Sequence, residues 1–342
     1  MAMRHFGYQD KILLLQHGST ELLSLAQRRG ALLHKLLSGT GIFEQDLHKP
    51  LGRLHHNDWL KLLQNCQQQL KSPELPYLLG SALLNSRYIS LCQSLQYAQN
   101  LRQALTQLYY FRHQLFPCFY VRLYQHQDCI LIEFKPALGL ANQQEFMQTV
   151  VFSLLLGLIK QQLGSVCGIS LKLQQTPSHQ LQHQLHWGVD VSFHQSVNCI
   201  SIPLSLWHQR FIDADLQKFS ATRRTCRQLN CVLSKQRSLP ENICRLQRRA
   251  LPQLLSQDQV ATALGLSSSS LKRQLSQHNT NFATLLDEVR RDAARQLLQQ
   301  GHYSNRQLAQ KLGYSDEHNF RRAFKRWTGL IPSSFKGLFN FN

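Results

Sequence analysis

Along the first hundred positions, apolar residues recur at helical spacing. Between Glu21 and about Leu37 they fall at Leu22, Leu25, Ala26, Leu32, Leu33, Leu36 and Leu37, and Ser38-Gly39-Thr40-Gly41 then predicts a helix stop. Further helical stretches are expected at about 57–70, after Pro76, and at roughly 94–114. The period then changes. Phe119–Tyr124 and Cys129–Phe134 are β-rich runs separated by Gln125-His126-Gln127-Asp128, which predicts a hairpin. Helix returns over 142–163, and Ile169–Leu173 and Cys199–Ile202 are short strand candidates. This part of the chain therefore reads as α+β, helices first and then a small sheet crossed by a helix.

Beyond it the pattern is helical throughout. Residues 215–255 are rich in Gln and Arg and are interrupted at Leu239-Pro240 and Leu251-Pro252. The expected division is an α+β domain at 1–215, a basic helical linker at 216–239, and an all-α domain at 240–342. Within the last, Phe282–Gln299 is one unbroken helical pattern with Leu286, Val289, Ala293 and Leu297 on one side. At ~1.5 Å per residue it forms a rod about 27 Å long.

That rod separates two copies of one signal, 48 positions apart. The first copy opens Ser256-Gln257-Asp258-Gln259 and passes through Ala261 to Gly265-Leu266-Ser267; the second opens Ser304-Asn305-Arg306-Gln307 and passes through Ala309 to Gly313-Tyr314-Ser315. Each Ser-x-x-Gln is a capping box, each Gly sits where a helix must turn, and each closing Ser can cap a second helix. Two such units in register, each followed by a basic amphipathic helix, predict a double helix-turn-helix that reads DNA. A rod of this length can hold them about one duplex turn apart, near 34 Å.

Charge supports that partner. Lys and Arg number 38 against 19 Asp and Glu, a net +19. The excess is +5 over residues 1–216, +8 over 217–255 and +6 over 256–342, so the positive density rises toward the duplicated motif. Arg223, Arg224, Arg227, Arg237, Arg245, Arg248 and Arg249 either touch DNA phosphates or form a solvated face between domains. The nine cysteines show no Cys-x-x-Cys spacing, which favours reduced thiols in a cytosol. Ile12–Leu15 is too short for a signal-peptide core, and Val150–Ile159 is half a membrane span and fits a buried core helix. A cytoplasmic protein without a membrane partner is expected.

In such units the first turns of the second helix reach base edges. With Leu271 and Leu275 turned to the core, Ser268, Ser269, Lys272 and Arg273 face outward. With Phe320, Ala323 and Phe324 turned inward, so do Glu317, His318, Arg321 and Arg322. Arg forks onto guanine O6 and N7, and Glu accepts from a cytosine amine. The serine-rich start of the first reading helix commits to less, so the second motif is expected to carry more of the specificity.

The arrangement resembles the AraC/XylS family of bacterial transcription regulators. The stretch Leu312-Gly313-Tyr314-Ser315-Asp316, Phe320, Arg322-Ala323-Phe324-Lys325-Arg326-Trp327-Thr328-Gly329, Pro332 and Phe335 is similar to the family's most recognisable segment, and Val260 through Leu275 is similar to its first motif. The resemblance places base contacts on Ser269, Lys272, Arg273, Glu317, His318 and Arg322; Ser269 departs from the larger side chains found there. Leu37–Ile42, Leu78-Leu79-Gly80, Leu101–Leu105, Val191–Phe193 and Ile202–Leu206 resemble the ligand-binding half of one branch of the family. The resemblance implies a regulator that senses a signal or self-associates through its N-terminal half. Promoter DNA and RNA polymerase are the expected partners, with a small-molecule effector and a second copy of the chain as further ones.

Other chemistries fare poorly. His179, His183 and His186 share a helical spacing, with His194 nearby, but no carboxylate or thiolate completes a metal shell, and His55 and His56 point apart. The chain lacks a Gly-x-Ser-x-Gly elbow, a phosphate loop and His-Glu-x-x-His, so neither an enzyme nor a cofactor is expected. The open alternative is a DNA-binding regulator that needs no effector and works through dimerisation or a partner protein. A sensor needs polar anchors; Tyr120, Arg122, Tyr124 and Glu133 on the hairpin can supply them, or they can alternate toward solvent on an antiparallel sheet.

Overall fold

A computed structural model of the chain describes residues 5–49, 51–126, 128–176, 180–195, 197–232, 237–299, 303–328 and 331–332. They form two compact units. One runs from Tyr8 to the end of the basic helix that closes at Val232; the other takes in residues 5–7 and the described chain from 237 onward.

Strand β1 (His5–Phe6) pairs in parallel with β9 (Arg237–Ser238) in the second unit. The first unit opens on β2 (Lys11–Leu14), antiparallel to β3 (Arg53–His55), with helices α1 (Thr20–Arg28) and α2 (Leu33–Leu37) between them. Four helices follow: α3 (His56–Leu70), α4 (Leu75–Leu84), α5 (Ser90–Gln96) and α6 (Leu101–Phe111). Then come the hairpin β4 (Phe119–His126) and β5 (Cys129–Pro136), the long helix α7 (Gln144–Leu163), β6 (Ser170–Lys172), α8 (Gln180–Trp187), β7 (Asp190–Ser192), β8 (Cys199–Pro203), α9 (Leu204–Trp207) and α10 (Leu216–Val232). The five strands form one sheet in the order β4-β5-β8-β6-β7, with only the β6–β7 pair parallel.

Helix α7 explains the core. It has the length and apolar composition of a membrane span, yet its side chains are buried all round inside the unit, the pattern of a core helix. One sheet face packs Phe134 edge-on against Phe152 of α7. On the other side α4 crosses α7 at Gly80, where a Cβ would lie 2.5 Å from the Val150 carbonyl oxygen and 2.7 Å from Ser153 Cβ. The two helix backbones can approach so closely only because Gly80 has no side chain.

Two expectations change here. Helix α10 is part of the first unit, not a linker over 216–239. Phe219 and Cys226 are buried, Gln114 Nε2 donates to the Cys226 carbonyl (2.6 Å) and to Asn230 Oδ1 (3.0 Å), and Asn230 donates to the Tyr110 carbonyl. Its basic composition belongs to the exposed side, where Arg224 and Arg227 lie. The hairpin residues also differ from a solvent-facing row. Tyr120, Tyr124 and Glu133 are buried, and Glu133 accepts from the Tyr124 hydroxyl (3.1 Å) and lies 3.6 Å from buried Lys135. Buried polar groups of this kind are paired with one another rather than exposed to solvent.

His55 and His56 do point apart. His55 Nδ1 meets the Gln9 carbonyl, and His56, fully buried, donates from Nε2 to the Gly139 carbonyl at 2.7 Å. Burial holds the His56 imidazole down at about 4.

In the second unit, α11 (Leu239–Ala250), α12 (Gln257–Leu264), α13 (Ser268–Gln277), α14 (Phe282–Gln299), α15 (Asn305–Lys311) and α16 (Glu317–Thr328) enclose two separate cores. Leu285 and Val289 of α14 join Ile243, Val260, Leu264, Leu271 and Leu275 in one. Ala294 and Leu298 join Leu308, Leu312, Phe320 and Phe324 in the other. Of the expected stripe, Val289 is buried and Ala293 and Leu297 pack, partly buried, against the second core; the fully buried positions are Leu285, Val289, Ala294 and Leu298, because each end of the rod turns to a different core.

Candidate DNA-reading face and ligand cleft

Both capping boxes form. Ser256 accepts from Gln259 N while Gln259 Oε1 accepts from Ser256 N, and Ser304 and Gln307 repeat the exchange. The first turn is closed by Gly265 at φ 70°, the left-handed region glycine favours. Gly313 has the same φ, and a Cβ on it would lie against the Pro252 carbonyl oxygen. Arg290 of α14 braces this second turn, donating to the carbonyls of Leu312 (3.2 Å) and Gly313 (3.1 Å) while its guanidinium lies 4.3 Å from the Tyr314 ring centre. Arg326 of α16 is tied to Asp287 of α14 at 2.5 Å.

Ser267 caps α13, accepting from Ser270 N. The second reading helix begins one residue later than expected. Asp316, not Ser315, accepts from Asn319 N at 2.7 Å, and α16 starts at Glu317. That hydrogen bond holds the Asp316 carboxyl below its ordinary range. Counted from these caps, the candidates occupy equivalent positions in both motifs. Ser268 and Glu317 come first, Ser269 and His318 second, Lys272 and Arg321 fifth, Arg273 and Arg322 sixth. Ser269, Lys272 and Arg273 share one helix face by their i, i+3, i+4 spacing, as do His318, Arg321 and Arg322, and all six are exposed.

The first positions differ. Ser268 Oγ donates to Asp258 of α12, and Ser267 and Ser269 share a hydrogen bond at 3.1 Å. The hydroxyls of the first reading helix are therefore engaged locally, leaving Lys272 and Arg273 as its long donors. Glu317 is half-buried in the first turn of α16, where its charge is favourable. The second helix offers an imidazole and two guanidiniums on one face. Gly329 and Phe335 of the C-terminal resemblance lie outside the described residues.

The first unit holds a cleft of about 200 Å³ lined by residues from α3, the turn into α4, the start of α7, and α8. Tyr77, Phe146, Thr149 and His183 are its buried floor, and Ser72, Pro73, Asn142 and Glu145 stand around it. The floor is rigid. Tyr77 Oη and His183 Nδ1 share a hydrogen bond at 2.6 Å, His183 stacks on Trp187 (4.4 Å between ring centres), His186 stacks on Tyr77 (4.5 Å), and Trp187 Nε1 donates to Ser153 Oγ at 2.8 Å. Tyr77 lies less than one turn before Gly80 on α4, so the tight α4–α7 crossing fixes the floor's depth. Burial, helped by the Glu145 charge, raises the Tyr77 phenol above its ordinary value. Nothing local in the sequence marks this cleft. Its histidines are used for stacking, and His179 lies outside the described residues. None of the hairpin residues Tyr120, Arg122, Tyr124 and Glu133 lines it.

Two capped motifs on one shared strut, each with a pair of exposed basic residues at the same helical positions (Lys272 and Arg273, Arg321 and Arg322), define a helix-turn-helix regulator carrying a separate α+β domain. Residues 30–211 match the arabinose-binding N-terminal domain of AraC transcription regulators, and residues 260–337 match a helix-turn-helix domain. The chain belongs to the AraC family of DNA-binding transcriptional regulators. It is similar to the ornithine utilization regulator of Pseudomonas aeruginosa, 26% identical over 321 residues, covering 92% of this chain and 94% of that one. It is also similar to VirS of Mycobacterium tuberculosis, 34% identical over 101 residues that make up 29% of each chain. The crystal structure of the transcriptional regulator CdpR from Pseudomonas aeruginosa aligns with a TM-score of 0.40 at 22% identity, covering 81% of this chain and 90% of that one.

Proposed function

We propose that this regulator reads promoter DNA in the cytoplasm through Ser269, Lys272, Arg273, His318, Arg321 and Arg322, and that a small-molecule effector in the N-terminal unit controls that binding. Ser268 and Glu317 set the entry of each reading helix more than they read bases. The observation that carries the proposal is the equivalence, counted from their caps, of the exposed basic pairs Lys272–Arg273 and Arg321–Arg322. The relative that matches nearly end to end bears the name of a regulator of ornithine utilization, which supports control of genes for a small metabolite. The polar-floored cleft favours effector control over an effector-independent mode. RNA polymerase at the promoter and a second copy of the chain are the further partners of this reading.

The test is binding of promoter DNA and of random-sequence DNA by Arg322→Ala. A base contact by Arg322 costs ~1–3 kcal/mol at the promoter and less on random DNA. Equal losses on both would reduce Arg322 to a phosphate contact. Affinity for either DNA should fall steeply with salt, because phosphate contacts release counterions.

A further inference from the structure

The two motifs correspond beyond the residues already placed on DNA. Asp258 is the second residue of α12 after the Ser256 cap, and Arg306 is the second residue of α15 after the Ser304 cap; both are exposed, and the charge has changed sign. Ser276 and Lys325 correspond in the same way, ninth in α13 and ninth in α16, and both are exposed. There a neutral hydroxyl in the first motif gives way to an ammonium in the second. Asp258 is placed by the fold. A carboxylate in the first turn suits the helix dipole, and Asp258 accepts from the Oγ of Ser268, the first residue of α13, which holds it at the entry of the reading helix. Arg306 opposes the dipole of α15, and neither it nor Lys325 forms a hydrogen bond or ion pair with another described residue. The fold gains nothing from either cation.

We propose that Arg306 and Lys325 contact DNA phosphates, that Asp258 keeps the phosphate backbone off the corresponding place in the first motif, and that the second motif therefore supplies most of the chain's grip on the duplex. This rests on the DNA-reading proposal above and adds which motif anchors the chain. In a helix-turn-helix unit the first helix crosses the DNA backbone while the second lies in the major groove. A long side chain in the first turn of the first helix, beside the entry of the second, therefore stands over a phosphate strand. Lys325 extends the row of His318, Arg321 and Arg322 along one face of α16 by its i, i+3, i+4, i+7 spacing. Cations at these places bind phosphate without regard to sequence. The balance of charge differs between the motifs. The second sets Arg306, Arg321, Arg322 and Lys325 against half-buried Glu317, whereas the first sets Lys272 and Arg273 against exposed Asp258. Both first helices are closed by the same capping box, so the difference lies in the side-chain charges and not in the helix ends.

The experiment uses the full chain and two duplexes of equal length, one selected by the parent chain from a random library and one of scrambled sequence. Affinities are measured by fluorescence anisotropy across a series of KCl concentrations. Arg306→Gln and Lys325→Gln should each weaken binding equally on both duplexes and lower the slope of log Kobs against log [KCl] by about 0.9. Asp258→Asn keeps an oxygen for Ser268 and should tighten binding to both duplexes, roughly two- to fivefold for a screened surface charge. Lys311→Gln is the control. Lys311 is on the same helix as Arg306 but lies over the Tyr303 ring, 4.9 Å from its centre, and its loss should leave the slope as it was. Slopes for Arg306→Gln and Lys325→Gln that match the Lys311→Gln slope overturn the anchoring role, and an unchanged or weaker Asp258→Asn overturns the part given to Asp258. Arg322→Ala, measured alongside, separates these outcomes from failure of the reading face. If it loses more on the selected duplex than on the scrambled one, the reading face stands even where anchoring has failed. If it loses nothing on either, the reading face falls and takes the anchoring role with it.

Discussion

Replacing Gly80 by Ala should destabilise the N-terminal unit, against what helix propensity alone predicts. Gly80 lies inside α4, and in an exposed helix interior Ala is better than Gly by about 1 kcal/mol. Here the added Cβ would sit 2.5 Å from the Val150 carbonyl oxygen, 2.7 Å from Ser153 Cβ and 3.0 Å from Leu154 N. Two of those atoms are backbone of α7 and cannot rotate away, so the helices must separate by close to an ångström. Overpacking of a core costs ~1–3 kcal/mol, and contact with helix backbone falls at the upper end. The net loss is about 2 kcal/mol, or a fall in Tm of roughly 4–8 °C for a unit of this size. Gly157→Ala on α7 is the control. Its Cβ would meet Leu84 Cδ2 at 3.2 Å, the movable end of a side chain, so the change should stay within about 0.5 kcal/mol of neutral. Thermal unfolding of both variants, followed in the transition of the N-terminal unit, decides the matter. A Gly80→Ala protein as stable as the parent, or more so, refutes the packing argument.

Buried His56 makes the N-terminal unit sensitive to acid. Its pKa is about 4 when folded against an ordinary 6.5. The unfolded chain therefore takes up the proton first, and stability present above pH 6.5 is lost as pH falls toward 4, by on the order of 3 kcal/mol. Urea midpoints across that range should fall less steeply in His56→Gln; an identical pH slope would exclude His56 as the cause. Arg290→Met removes two charge-assisted bonds to the turn of the second motif, a loss of about 2 kcal/mol. Hydrogen exchange in α15 and α16 should quicken roughly thirtyfold, since ~1.4 kcal/mol is tenfold, with α12 little changed, and unaltered exchange would show that the brace is dispensable. Ser304→Ala removes one side of a capping box and should cost about 1 kcal/mol, measured as denaturant stability of the second unit; no loss would mean that the cap is replaced by water.

The second unit was the more legible in sequence, and the reason is physical. Capping boxes and left-handed glycines are local: Ser256, Gln259 and Gly265 satisfy or bend backbone within a few residues of themselves. The side chains they orient, such as Arg273 and Arg322, follow by helical spacing. What the pattern missed depends on distant contacts. The apolar stripe of α14 was placed only in part, because a single period does not show that the helix serves two cores in succession, with Leu285, Ala294 and Leu298 as the fully buried positions beside Val289. Helix α10 looked like a linker because its arginines dominate its composition, whereas Phe219, Cys226 and the reach of Gln114 decide where it packs. The cleft was invisible because Gln67, Tyr77, Glu145 and His183 come from four separate segments. Only the crossing at Gly80 brings α4 and α7 close enough to floor it, and that glycine reads in sequence as one more small residue between leucines.

The division of α14 between two cores bears on how this domain can be rebuilt. An engineer who exchanges one reading motif for that of a relative would naturally cut at the loops on either side of it. Such a graft would leave a foreign motif leaning on half a rod whose Leu285 and Val289, or Ala294 and Leu298, were matched to other partners. The workable seam lies inside the rod, between Val289 and Ala294. Arg290 falls within that seam and makes its bonds to the carbonyls of Leu312 and Gly313, so it has to travel with the second motif. Chimeras divided there keep each hydrophobic core with its own half-helix, and the motifs become interchangeable parts only on those terms.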